Sequence, residues 1–196
     1  MKTLSLTCLA FLGLVVLTHG APALKVGSGE LVTNGSFEDG PAVEVYLPLN
    51  KDATDIKGWV VTRGQIDLCQ ISEKKEWPAA AGKRCLDLHG SPGMGGVNQS
   101  LTTQAGQRYR LTFHMSGNPG IGAKSYTLTV RAAGKDKNFD FDMEGVTYTD
   151  LKWEKKTWEF SATGVKTELE IHTAMPATAN TFGGPLVDNV SVVAIK

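Results

Sequence analysis

Leu31-Val-Thr-Asn-Gly-Ser-Phe-Glu-Asp-Gly40 is the stretch on which the reading of this chain turns. Asn34-Gly35 supplies residues that tolerate positive φ, so a tight turn costs little there. Phe37 buries an aromatic ring beside that turn, while Glu38 and Asp39 place two carboxylates on flexible backbone. The stretch reads as the first strand and turn of a folded domain. At the other end, Leu186-Val-Asp-Asn-Val-Ser-Val-Val-Ala-Ile195 alternates as a long strand does, with Asp188 near its start. The expectation is that these two ends meet and close one β-sandwich.

Between them lie short runs with a period of two and almost none with helical periodicity. They are Ala42–Leu47, Trp59–Thr62, Gln65–Cys69, Arg84–His89, Gly96–Leu101, Arg108–Ser116, Tyr126–Val130, Asn138–Asp142, Lys156–Phe160 and Thr167–Ile171. Arg108–Ser116 is the longest clean alternation, with Tyr109, Leu111, Phe113 and Met115 on one face. Turn signals such as Asp39-Gly40-Pro41, Ser91-Pro92-Gly93, Gly117-Asn118-Pro119 and Gly183-Gly184-Pro185 separate them. Many short strands with regular turns predict an antiparallel sandwich or barrel. Trp59, Phe113, Trp158 and Phe160 are the expected aromatic core.

The 196 residues suit one domain, and no linker or repeat divides them. Lys2, an apolar run from Leu4 to Leu17 and small residues around Gly20-Ala21-Pro22-Ala23 read as a secretory signal peptide. The signal is placed at 1–20, with cleavage as late as 23, then a lead-in at 21–29 and one β-sandwich at 30–196. The apolar run is short for a membrane span and no second one follows. Secretion to an extracellular or periplasmic space is therefore expected. Without Lys2, acids exceed bases by one, which gives no support for a nucleic-acid partner or an anionic membrane surface. Cys69 and Cys85 remain, and in an oxidising compartment a disulfide between them is expected, worth about 3 kcal/mol in the chain-entropy picture.

Alternation also locates a polar face. Asp67 and Cys69 point opposite Ile66 and Leu68, and Cys85, Asp87 and His89 point opposite Leu86 and Leu88. If these strands are neighbours, one surface carries Asp67, Asp87 and His89. Sugars are held by hydrogen bonds from their hydroxyls to carboxylates and amides, with aromatic rings against the pyranose faces. Trp77 and Tyr46, in loop-like surroundings, are the candidate stacking residues. Asp67 and Asp87 could imitate a glycosidase carboxylate pair, but spacing alone supplies no such geometry. No Gly-x-Ser-x-Gly nucleophile elbow and no His-Glu-x-x-His zinc motif occurs. A catalytic role is the less favoured class.

The opening motif, Val97-Asn-Gln-Ser-Leu101, Ala105–Phe113 and Asp188–Val192 together resemble galactose-binding-like β-sandwiches, including carbohydrate-binding modules. Gly58-Trp59, Gln65–Leu68, Trp77–Gly82, Leu86–Gly90 and Gly117–Pro119 narrow the resemblance to the choice-of-anchor C family. They are similar also to the plant cell-wall group catalogued as a domain of unknown function. The resemblance implies a jelly-roll sandwich. It also implies a structural calcium held by Glu38 and Asp188, since calcium takes hard oxygen ligands. The function expected is a secreted, non-catalytic domain that binds wall or extracellular polysaccharide. A structural or adhesive protein with a protein partner is the alternative, and a small glycan hydrolase comes third.

Overall fold

A computed structural model describes residues 29–90, 93–174 and 182–196. The signal peptide, all of the lead-in but its last residue, and the first two residues of the Ser91-Pro92-Gly93 turn lie outside them. Eleven strands follow in order: β1 (Tyr46–Asn50), β2 (Val60–Arg63), β3 (Gln65–Gln70), β4 (Arg84–Asp87), β5 (Gly96–Thr102), β6 (Arg108–Gly117), β7 (Ser125–Ala132), β8 (Lys135–Asp142), β9 (Glu154–Ser161), β10 (Lys166–Thr173) and β11 (Pro185–Ile195). They form two antiparallel sheets, one of six strands in the order β1-β3-β4-β11-β6-β9 and one of five in the order β2-β5-β10-β7-β8. The fold is an antiparallel jelly-roll β-sandwich.

The apolar half of each alternation makes the core. Tyr109, Leu111, Phe113 and Met115 of β6 are fully buried, and Leu128, Val130, Leu169 and Ile171 meet them from the other sheet. Trp59 and Phe160 are buried as expected. Trp158 is only partly so: β9 is an edge strand, and its indole lies tilted on Phe160 with ring centroids 5.8 Å apart.

The two ends of the domain meet. Leu31 N donates to the Val192 carbonyl at 2.9 Å, and Val190 N donates to the Gly35 carbonyl at 2.8 Å. A Cβ at Gly35 would lie 1.9 Å from the Val190 carbonyl oxygen, so only glycine admits this approach. The opening stretch is nevertheless not a strand. The one bridge here lies just before it, Glu30 to Val193, and the stretch itself turns, with Asn34 at φ 55° and Phe37 at φ 59°. The first strand starts later than the periodicity of 42–47 predicts, at Tyr46, which puts that tyrosine on β1 rather than in a loop.

Candidate functional site

The site grows from the register of three strands. Directly opposed residues of an antiparallel pair share a face. β3 pairs with β4 so that Asp67 faces Asp87 and Cys69 faces Cys85. β1 adds Tyr46 opposite Cys69 and Pro48 opposite Asp67. Since Ile66, Leu68 and Leu86 fill the core, this polar set looks out from the six-stranded sheet.

Loops wall the face into a pocket of about 510 Å³. Tyr46, Gln65, Asp67, Trp77, Asp87 and Tyr148 line it, with Asn118, Ile121 and Phe182 at its side. Trp77 and Tyr148 meet edge to face with ring centroids 5.4 Å apart, and Trp77 N donates to the Tyr148 carbonyl at 2.9 Å. Trp77 holds φ 62°, a conformation a bulky side chain rarely adopts without being held there. Trp153 Nε1 adds a hydrogen bond to the Pro78 carbonyl at 2.7 Å.

The far side of the Trp77 loop is fastened by the two acids expected to hold calcium. Glu38 Oε1 accepts from Lys83 N at 2.7 Å and Arg84 N at 2.9 Å. Asp188 Oδ2 accepts from Ala81 N at 2.8 Å, and its Oδ1 from Asn189 N. Among the described residues, no group of three or more His, Cys, Asp or Glu is placed to hold a metal ion. The backbone amides that these two acids accept make them a hydrogen-bonded clamp on the aromatic loop.

Electrostatics divide the two acids of the pocket floor. Asp87 is 1% exposed, and burial pushes its pKa up to about 7 against the pull of Asn118, His89 and Gly184, while Asp67 opposite adds repulsion. Its Oδ2 accepts from Asn118 Nδ2 at 2.8 Å, and its Oδ1 from His89 N at 2.9 Å and Gly184 N at 3.0 Å. Asp67 is half-buried and burial raises its pKa, but no donor or cation among the described residues partners its carboxylate. None of the lining residues is a Lys, Arg or His.

Four of the residues expected to bind ligand (Tyr46, Asp67, Trp77 and Asp87) thus line one pocket. His89 does not: it is fully buried behind the floor, where its Nδ1 accepts from Met94 N at 3.2 Å. The expected Cys69–Cys85 disulfide is also corrected. Both are buried free thiols set side by side by the register. Their mutual hydrogen bond, and then burial, push the Cys69 thiol up. Sequence reasoning missed Tyr148, whose Thr147–Asp150 turn looked like any other. It also missed Asn118, although its Gly117-Asn-Pro119 turn was quoted for the resemblance.

The class is a jelly-roll β-sandwich that carries a pocket with aromatic walls and a carboxylate floor on the outer face of one sheet. More narrowly, a family model described as "Protein of unknown function (DUF642)" matches residues 30–193, and the chain belongs to that family. Among curated proteins it is similar to halomucin of Haloquadratum walsbyi, 30% identical over 189 residues. The match takes in 92% of this chain but only 2% of halomucin's length. Among solved structures it is similar in fold to the arabinose-bound MgGH51 α-L-arabinofuranosidase (TM-score 0.52, 16% identity, 85% of this chain and 26% of that one). Similar structures include carbohydrate-binding modules. TmCBM61 in complex with β-1,4-galactotriose has a TM-score of 0.47 and 17% identity over 86% of this chain and 100% of that one. CBM35 from Paenibacillus barcinonensis has a TM-score of 0.48 and 14% identity over 76% and 99%. No helix among the described residues is long and apolar enough to cross a membrane.

Proposed function

We propose that this chain is a non-catalytic carbohydrate-binding domain acting on wall or extracellular polysaccharide. The observation that carries the reading is Asp67: a carboxylate without a partner, in a pocket walled by Tyr46, Trp77 and Tyr148. Rings offer flat apolar faces to a sugar, and a carboxylate oxygen accepts from two hydroxyls at once. The clamp formed by Glu38 and Asp188 fixes the Trp77 loop before ligand arrives, which lowers the ordering cost of binding.

The Asp67–Asp87 pair supports binding rather than hydrolysis. Asp87 is enclosed and already accepts from three donors, so it has no free path for exchanging a proton with a glycosidic oxygen. The N-terminal run read as a secretory signal, and the resemblance to choice-of-anchor C proteins, support an extracellular setting.

The test is pull-down of the chain by a panel of insoluble polysaccharides, with and without calcium. At least one should retain it, calcium should make no difference, and Trp77→Ala should lower affinity on the order of 10- to 100-fold with the fold intact. Sugar release from any polysaccharide would revive the hydrolase reading. Retention by none, beside capture of a protein ligand at this face, would replace the function with an adhesive one.

A further inference from the structure

We infer that the pocket selects a protonated amino sugar, an unacetylated hexosamine unit, over neutral and acidic sugars. The inference rests on the carbohydrate-binding reading and names the ligand class of that same site. Its basis is the charge facing inward from each element. β1 contributes Tyr46 and Pro48, β3 contributes Gln65, Asp67 and Cys69, and β4 contributes Asp87. The loops add Trp77, Asn118, Tyr148 and Phe182. Every charged group among these is an acid, and the two acids oppose each other across neighbouring strands.

Like charges directly opposite destabilise a sheet unless something compensates them. Asp87 is held in place by Asn118, His89 and Gly184, so its carboxyl is fixed beside Asp67. Asp67 has open acceptor sites and no counter-charge among the described residues. The ring faces of Tyr46, Trp77 and Tyr148 are electron-rich and attract a cation as well as an apolar sugar face. An ammonium group on a pyranose meets these features at once: it donates hydrogen bonds to Asp67, supplies the counter-charge that Asp67 lacks and keeps its ring carbons against the aromatic walls. A neutral sugar leaves Asp67 without a counter-charge, and a uronate adds another carboxylate beside it. The pocket volume of about 510 Å³ suits a short saccharide. Burial raises both acids, and a bound ammonium would draw them back down, which agrees with this choice.

The experiment is calorimetric titration of the full chain with three short oligosaccharides below the pKa of the sugar amine. One is a glucosamine trimer, one its fully N-acetylated counterpart and one a galacturonate trimer. The glucosamine trimer should bind at least about tenfold tighter than the acetylated one, and galacturonate most weakly. Asp67→Asn, which removes no hydrogen bond of the fold, should bring the glucosamine trimer to the affinity of the acetylated one. Asp140→Asn, at an exposed acid on β8, should leave it unchanged. Equal affinity for the first two sugars, or tighter binding of galacturonate, overturns the inference while sparing the carbohydrate reading. Tighter binding of a lysine-rich peptide than of the glucosamine trimer overturns the sugar assignment. If none of the three sugars binds and the polysaccharide panel also fails, both readings fall together.

Discussion

The two sheets present outer faces of similar composition and opposite logic. On the five-stranded sheet, the charged residues that oppose each other in register have opposite sign. Arg131 holds Asp136 with two hydrogen bonds of 2.6 and 2.8 Å, and Glu170 takes Arg63 and the hydroxyl of Thr62. Opposed charges there have opposite sign, as a solvated sheet face requires. On the six-stranded sheet, Asp67 opposes Asp87, no base lines the pocket, and aromatic loops keep water partly out. Opposed charges on the first face cancel in pairs; on the second, the one opposed pair has the same sign. A polar strand face is therefore not evidence of a site until its charges are counted in register.

The largest consequence of that difference is in pH dependence. Burial pushes Asp87 and Asp188, both tied to the pocket side, up to about 7. Between roughly pH 4 and 7 the native state then holds protons that the unfolded chain has released, so stability rises as pH falls through that window. The acids of the opposite face, Asp136, Glu168 and Glu170, are shifted downward. Their contribution is lost only as pH drops below about 4, where they protonate. Urea unfolding should therefore show a maximum near pH 4 to 5, with a loss of several kcal/mol, to order of magnitude, on going to pH 8. A curve that climbs steadily toward neutral pH would mean that the buried acids are compensated after all.

A smaller effect should follow from cutting one thread of the pocket floor. Asn118 Nδ2 donates to Asp87 Oδ2 at 2.8 Å while its Oδ1 accepts from Gly120 N at 2.8 Å. Asn118→Ala removes a donor from a buried carboxylate and should cost about 2 kcal/mol in urea unfolding. It should also steepen the loss of stability above neutral pH, because Asp87 loses one of the bonds that favour its charged form. An unchanged slope would show that Asn118 packs there without tuning Asp87.

Much of this was legible in the residues. Alternation in Gln65–Cys69 and Arg84–His89 was enough to put Asp67, Asp87 and two cysteines on one face, because a period of two leaves no other choice once the leucines are in the core. Trp77 was legible as a loop aromatic. What was not legible depended on contacts distant in sequence. Tyr148 matters only because its carbonyl takes the Trp77 amide from another loop. His89 carries the right period but lies past the end of β4, where the chain turns inward. Glu38 and Asp188 do come together, yet whether they meet a cation or an amide depends on where the 81–84 backbone runs. Spacing says that the cysteines can meet, but it does not show that both thiols are buried side by side without a bond between them.

The smallest expected effect is the sharpest control on the comparison. Arg131 is exposed on the five-stranded sheet, with Asp136 beside it and Glu170 at 3.9 Å. Exposed ion pairs contribute little to stability, since water and salt screen them and long side chains must be ordered to form them. Arg131→Ala should leave the melting temperature without a resolvable shift. It should also leave retention by the polysaccharide panel unchanged, because Arg131 lies on the opposite sheet from Tyr46, Asp67 and Trp77. If retention fell with Arg131→Ala and survived Trp77→Ala, recognition would belong to the five-stranded face. The unpartnered Asp67 would then be a tolerated cost of the fold, not the means of binding.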